Sequence, residues 1–325
     1  MISLKFRRYA AGVAISMLAC ATSAVAAYPE QTITLIVPFT AGGTTDQAAR
    51  LVAQLLQAST GASVVVENKP GAGGMIGAQH VKKAEPNGYT LLYGSDSLIL
   101  QPLVQKSALT SIDDFIPLVR VRTSPTYMGV GPAAPVNSVK ELVALAKSRP
   151  GKLDYATGGV GEVNHMSGAA FALAAGVDIV HVPYKGVLPA ITDTAAGHVA
   201  IVWGGSIDFL PYLKTGQLKV LAQAGTKRSL AMPEVPTFTE LGYPDVVIVN
   251  WNGILAPKGT PPEVVKWLTE KIAAVATSPE FLERGKILAI EPGDMLKGQA
   301  FADALAQQQA RYKTIIAKSG IRLVD

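Results

Sequence analysis

Residues Ile33–Ser59 read ITLIVPFTAGGTTDQAARLVAQLLQAS: a strand, a glycine turn and a helix in one run. Ile33, Leu35, Ile36 and Val37 form the short apolar stretch expected of a strand buried on both faces. Pro38 ends it, and Gly42 and Gly43 let the backbone turn with no Cβ in the way. Thr44 with Gln47 has capping-box spacing, and Ala48, Leu51, Val52, Leu55 and Leu56 recur on one helical face. Such a turn aims free amides and the positive end of a helix dipole at one spot, which favours an anion. No Lys follows the glycines, so this is not the phosphate-cradling P-loop, and a carboxylate is the expected occupant. Phe39, Thr40, Ala41, Gly42, Gly43 and Thr44 are the candidate contacts. Gly43 is the position where a side chain is expected to displace the backbone. Asp46 is expected to order the loop rather than meet the anion, since like charges repel.

Upstream, residues 1–26 have the three parts of an export signal. Lys5, Arg7 and Arg8 make the charged start, Ala10 to Ala19 the apolar middle, and Ala24-Val25-Ala26 the cleavage site. A membrane anchor and a lipid on Cys20 are the competing readings of this segment. Cleavage removes three of the 29 basic residues and none of the 24 acidic ones, lowering the formal charge from +5 to +2. The high isoelectric point is therefore no argument for nucleic acid, and no basic stripe interleaves with aromatics. The single Cys also leaves, which excludes disulfides, thiol nucleophiles and Cys-ligated metal from the mature chain.

Downstream, Val64-Val65-Val66 reads as a second buried strand, followed by ENKP and the cluster Gly71-Ala72-Gly73-Gly74. A dinucleotide fingerprint needs its glycines directly after the strand. Four residues intervene here and Ile76 stands where the last Gly belongs, so no nicotinamide or flavin cofactor is expected. Ala72 and Gly73 instead bring a second backbone loop toward a ligand, or pack a helix against the sheet. Leu91-Leu92-Tyr93 is a third strand. Ser95 and Asp96 at its end are read equally well as ligand contacts or as turn chemistry.

The segments VPFTAGGTTD (37–46), VENKPGAGG (66–74), PNGYTLLYG (86–94), YATGGVG (155–161), HVPYKG (181–186), PEVPTFTELG (233–242) and LAPKGTPPE (255–263) resemble the substrate-binding proteins of tripartite tricarboxylate transporters, the Bug receptors. The resemblance spans essentially the whole mature chain. It implies a two-lobed α/β periplasmic-binding-protein fold, type II-like, each lobe a mixed sheet flanked by helices and the two joined by a two-strand hinge. It further implies a monomeric periplasmic receptor that closes on a small di- or tricarboxylate, aliphatic or aromatic, and delivers it to membrane permease subunits. One lobe is expected from residues 27–125 plus 250–325 and the other from 126–249, with crossings near Pro117–Gly131 and Val246–Trp251.

In the second lobe Leu153–Thr157, the glycines to Gly161 and the following apolar helix repeat the opening device, so two turns would grip a ligand from both sides. Thr157, Gly158 and Gly161 are the candidate contacts. Glu162 stands where the family commonly has a small hydroxyl residue. It either complements the helix dipole or accepts a hydrogen bond from a ligand amine, hydroxyl or protonated carboxyl. His165 could sit beside it. Tyr184 could wall the pocket; Lys185 either meets a carboxylate or is solvated; Trp203 is either core or an aromatic lid. Ser138 with Glu141, Thr260 with Glu263, and Ser278 each mark a helix start. Helices near the C-terminus, from about Lys297 to Lys318, are expected to cover the first lobe's sheet.

His80, His165, His181 and His198 lack metal-ligand spacing, so no metal is expected. There is no G-x-S-x-G elbow, which disfavours the rival reading as an exported hydrolase. A sensory receptor feeding a signalling partner is the other alternative, and sequence does not separate it from a transport receptor.

Overall fold

The computed structural model describes residues 28–321 except 106, 107, 109 and 289, and only the backbone of Thr44. The proposed signal and Cys20 lie outside the described residues.

The chain builds β1 (Ile33–Val37), α1 (Thr44–Thr60), β2 (Val64–Asn68), α2 (Met75–Lys82), β3 (Thr90–Ser95), α3 (Ser97–Val104) and the long β4 (Phe115–Pro125). The next elements are β5 (Tyr127–Val130), α4 (Val139–Ser148), β6 (Leu153–Thr157), α5 (Val163–Ala175), β7 (Ile179–Pro183), α6 (Val187–Ala195), β8 (Ile201–Gly204), α7 (Ser206–Lys214) and β9 (Lys219–Gln223). The last are β10 (Val249–Pro257), α8 (Pro262–Ala276), α9 (Pro279–Ile287) and α10 (Gly298–Ser319).

Two five-stranded mixed sheets result, ordered β2-β1-β3-β10-β4 and β7-β6-β8-β5-β9. Each is a parallel three-stranded βαβαβ unit extended by an antiparallel strand and then by a fifth strand antiparallel to that one. These sheets are the two lobes. Only Thr126 separates β4 from β5, and Val249 at the start of β10 pairs with Pro125 at the end of β4. The two crossings therefore run side by side. The Ile248 amide donates to the Ala224 carbonyl and the Ala224 amide to that of Thr126, which ties the return crossing to the outgoing one.

Ile33, Leu35, Ile36 and Val37 are all buried, as the central position of β1 requires. The Val64–Val66 run differs from expectation. β2 is an edge strand, so alternate side chains face solvent and Val65 is 46% exposed. Ser138 and Ser278 cap their helices as read, each hydroxyl accepting an amide at N3. Thr260 does not: its hydroxyl donates to the Pro257 carbonyl and Pro261 occupies the cap. The last helix also does more than cover one sheet. α10 packs on β4 and α3 of the first lobe and on α5 of the second. Its Tyr312 and Ile315 belong to an apolar core that reaches Leu92 and Trp251 on one side and Tyr155 and Trp203 on the other.

Candidate functional site

The turn after β1 is held by a buried acid. Asp46, 2% exposed, accepts the Gly42 amide at 2.9 Å, Arg50 Nε at 2.9 Å and Asn68 Nδ2 at 2.8 Å. Asn68 also donates to the Phe39 carbonyl, which latches the turn to the end of β2. Burial alone would raise the Asp46 carboxyl, but the hydrogen bonds from Arg50, Gly42 and Asn68 together hold it below its ordinary value. Gly42 carries the left-handed backbone, φ +89°, whereas Gly43 has φ −73° and room for a Cβ, whose nearest neighbour would be the Thr40 carbonyl oxygen at 4.0 Å. The conformational demand assigned to Gly43 thus belongs to its neighbour. Gly43 is also the N-cap of α1, in place of Thr44, and Gln47 reaches back to the Gly42 carbonyl. The Thr44 side chain lies outside the described residues.

The turn after β6 is held by neutral rings. His165 Nδ1 accepts the Gly161 amide at 3.1 Å, so its proton resides on Nε2. The Thr157 hydroxyl donates to the Gly159 carbonyl and accepts from His181 Nε2 at 2.7 Å. The two imidazoles stack with centroids 3.8 Å apart. Desolvation, with His181 adding to it, pushes His165 down to about 3; desolvation pushes His181 to about 4. Gly158 sits in tight quarters: a Cβ there would stand 2.6 Å from the movable end of the Glu162 carboxylate and 3.1 Å from the Val187 backbone nitrogen.

Between the turns, where β3, β6 and the hinge strands end or cross, lies a cavity of about 350 Å³. Phe39, Gly73, Ser95, Asp96, Gly161 and Glu162 border it among the residues singled out from sequence. Thr40, Ala41, Gly42, Gly43, Ala72, Thr157 and Gly158 do not line it; they shape or support its turns. Four others are elsewhere. His165 faces a separate cavity with His181. Tyr184 donates to Asp193 at 2.7 Å and packs on the second lobe's other core, and Lys185 next to it is exposed. Trp203 is fully buried and stacks on Phe238, so it is core and no lid.

Sequence reasoning missed Arg122, Gln101, Asn250 and Asn252, all of which line the cavity. Arg122 reaches it through a β-bulge. Asn252 pairs with Arg122 and Gly253 with Arg120, which leaves Val121 as the extra residue. The bulge breaks the strand alternation. Arg120 turns into a separate cavity and pairs with Asp294, while Arg122 Nη1 donates to Asn252 Oδ1 at 3.1 Å in the cleft. Arg122 Nε and Gln101 Oε1 are buried with no partner among the described residues. The one available signal was a cation inside a strand of β-formers.

Two carboxyls face this space from opposite lobes. Asp96 is 8% exposed, and its carboxyl is raised to about 7 by desolvation, with Glu162 adding like-charge repulsion and its own backbone amide opposing. Glu162 is open to the cleft at its edge, yet desolvation also raises its carboxyl. It occupies the N-cap of α5 without capping it. Among the described residues no group of three or more His, Cys, Asp or Glu could hold a metal ion.

A family model described as the tripartite tricarboxylate transporter family receptor matches residues 48–321. BugT of Bordetella pertussis is 34% identical over 306 residues, covering 91% of each chain. A TctC solute-binding protein from Polaromonas, 32% identical, superposes with a TM-score of 0.80 over 90% of this chain and 99% of its own. An R. palustris protein solved with adipate, also 32% identical, gives 0.74 over 91% of this chain and all of its own.

Proposed function

Because the chain belongs to the tripartite tricarboxylate transporter receptor family, we propose that it captures a small carboxylate in the interlobe cleft and delivers it from the periplasm to that family's membrane permease. The observation that carries the reading is Arg122. Its guanidinium enters the 350 Å³ cavity at the hinge with Nε buried and unpartnered, a donor that a carboxylate would satisfy. The adipate held by the R. palustris relative supports the same chemistry. Residues 27–125 with 250–325 and residues 126–249 act as the two closing units, and the adjoining β4 and β10 flex between them.

The test is a thermal-shift and calorimetric screen of mono-, di- and tricarboxylates on the mature chain. A binding acid at 100 times its Kd adds ~2.7 kcal/mol of stability. Arg122→Gln is expected to weaken that acid at least about tenfold, as for a charge-assisted hydrogen bond. Saturating acid should also compact the chain in solution scattering. Unchanged affinity in Arg122→Gln would place the carboxylate away from the hinge.

A further inference from the structure

The cleft holds more acceptors than a receptor for plain carboxylates needs. Asp96 is more than nine-tenths buried, and among the described residues its carboxyl, bordering the cavity, has no hydrogen bond beyond its own backbone amide. Glu162 faces it from the other lobe. Neither acid is drawn down by a cation, so Arg122, although it borders the same cavity, does not neutralise them. Gln101 Oε1 adds a third acceptor, a buried atom without a donor. Gly73, with φ +62°, lets the Gln101 amide lie against the loop, since a Cβ there would stand 2.9 Å from it. The other group that bears on Asp96 is the buried Tyr312 hydroxyl of α10, which accepts from Gln308; the buried Tyr93 hydroxyl of β3 lies near Arg122.

The cavity therefore offers an unpartnered guanidinium N–H and, on the same walls, two carboxyls and an amide oxygen that lack donors among the described residues. A dicarboxylate would satisfy the first and bring a like charge to the second. We propose that the ligand carries a cationic ammonium group as well as a carboxylate, and that Asp96 and Glu162 receive the ammonium while Arg122 receives the carboxylate. The inference rests on the cleft being the ligand site and narrows its substrate class to amino-carboxylates.

Proton linkage separates the two ligand types by sign. With its carboxyl raised to about 7, Asp96 is partly protonated in the empty cleft near neutrality. An ammonium placed beside it favours the ionised form, so binding releases a proton and tightens as pH rises through about 7. A carboxylate placed there favours the protonated form, so binding takes up a proton and weakens as pH rises.

The experiment is calorimetry on the mature chain at about pH 6 and 8, in two buffers of different ionisation heat. The probes are matched pairs: succinate and aspartate, glutarate and glutamate, butyrate and 4-aminobutyrate. The ammonium member of at least one pair is expected to bind about tenfold or more tightly than its partner, with proton release. In Asp96→Asn/Glu162→Gln the order should invert, the ammonium compound weakening by about tenfold and the plain acid gaining; circular dichroism checks the fold. The wild-type proton sign needs no variant. Plain acids that bind as tightly as the amino acids, with proton uptake, would overturn the inference and leave the receptor reading intact. No heat from any probe would overturn both.

Discussion

The turn after β1 and the turn after β6 have the same backbone plan and opposite electrostatics. The first is latched by an ionised carboxylate, Asp46, whose hydrogen bonds from Gly42, Asn68 and Arg50 outweigh its desolvation. The second is braced by Thr157 and two stacked imidazoles that burial keeps neutral. The first lies open, with residues 40–43 exposed, whereas Thr157 and Gly158 are buried. A charge makes a strong latch where the turn must hold its shape near water. Neutral rings suit a turn pressed against the other lobe, where an unpaired charge would be costly. Gly161 marks that contact: a Cβ there would stand 2.5 Å from Val104 Cγ2 on the first lobe's α3.

The contrast is broken most strongly at the glycines. Gly161→Ala combines a left-handed backbone, φ +75°, with the clash on Val104. It is expected to cost about 2–5 kcal/mol in chemical denaturation and at least about tenfold in ligand affinity. Gly43→Ala should cost only about 0.5–1 kcal/mol, the difference between Gly and Ala at a helix N-cap. Equal losses at the two sites would show that both turns make the same demand on the backbone.

The latches come next. Asp46→Ala is expected to destabilise by about 2–3 kcal/mol, because the Gly42 amide and Asn68 lose a charged acceptor. Half-exposed Arg50 adds little to that figure, being screened by solvent. Thr157→Val removes neutral hydrogen bonds and should cost about 1–2 kcal/mol. Urea midpoints of the two variants measured side by side decide the order.

The smallest net effect is in pH. Below the ordinary imidazole value of 6.5 the unfolded chain binds protons that folded His165 and His181 refuse, down to about 3 and 4. The stability they contribute is full above 6.5 and falls as pH drops through that window. Asp46 behaves differently: its contribution is intact above the unfolded value of 3.8 and is lost only as pH falls through its depressed folded value. Asp96 opposes the imidazoles, since the folded chain holds its proton between 3.8 and about 7 and is favoured as pH falls. Urea titrations from pH 7 to 4 should therefore show a shallow slope in the wild type. His165→Gln/His181→Gln should remove the imidazole part and leave stability rising toward acid. A variant slope matching the wild type would mean that the folded rings take up protons as readily as the unfolded ones and are not held neutral.

Much of this molecule was readable in advance where the signal is local. The β1 run and the Ser138 and Ser278 caps each depend on residues within one turn or strand. The misreadings share a cause. Val64–Val66 is apolar like a central strand but has a neighbour on one side only. Thr260 has capping chemistry, yet its hydroxyl finds the Pro257 carbonyl first. Trp203 lies near the end of β8, where an aromatic can line a cleft or fill a core, and the stacking on Phe238 decides it.

By itself the sequence determined the alternation of strands and helices, the two glycine turns and the family, because periodicity, glycine and short motifs act over a few residues. Only the tertiary structure decided what faces the cleft. The bulge at Val121 sends Arg122 into the cavity and Arg120 away from it, and a bulge is a register event between β4 and β10, strands far apart in the chain. Asp96 and Glu162 face one space only when the lobes meet; desolvation raises both carboxyls, and Glu162 adds like-charge repulsion at Asp96. Neither the register nor the desolvation is a property of either residue's own neighbourhood, so no local pattern could have announced them.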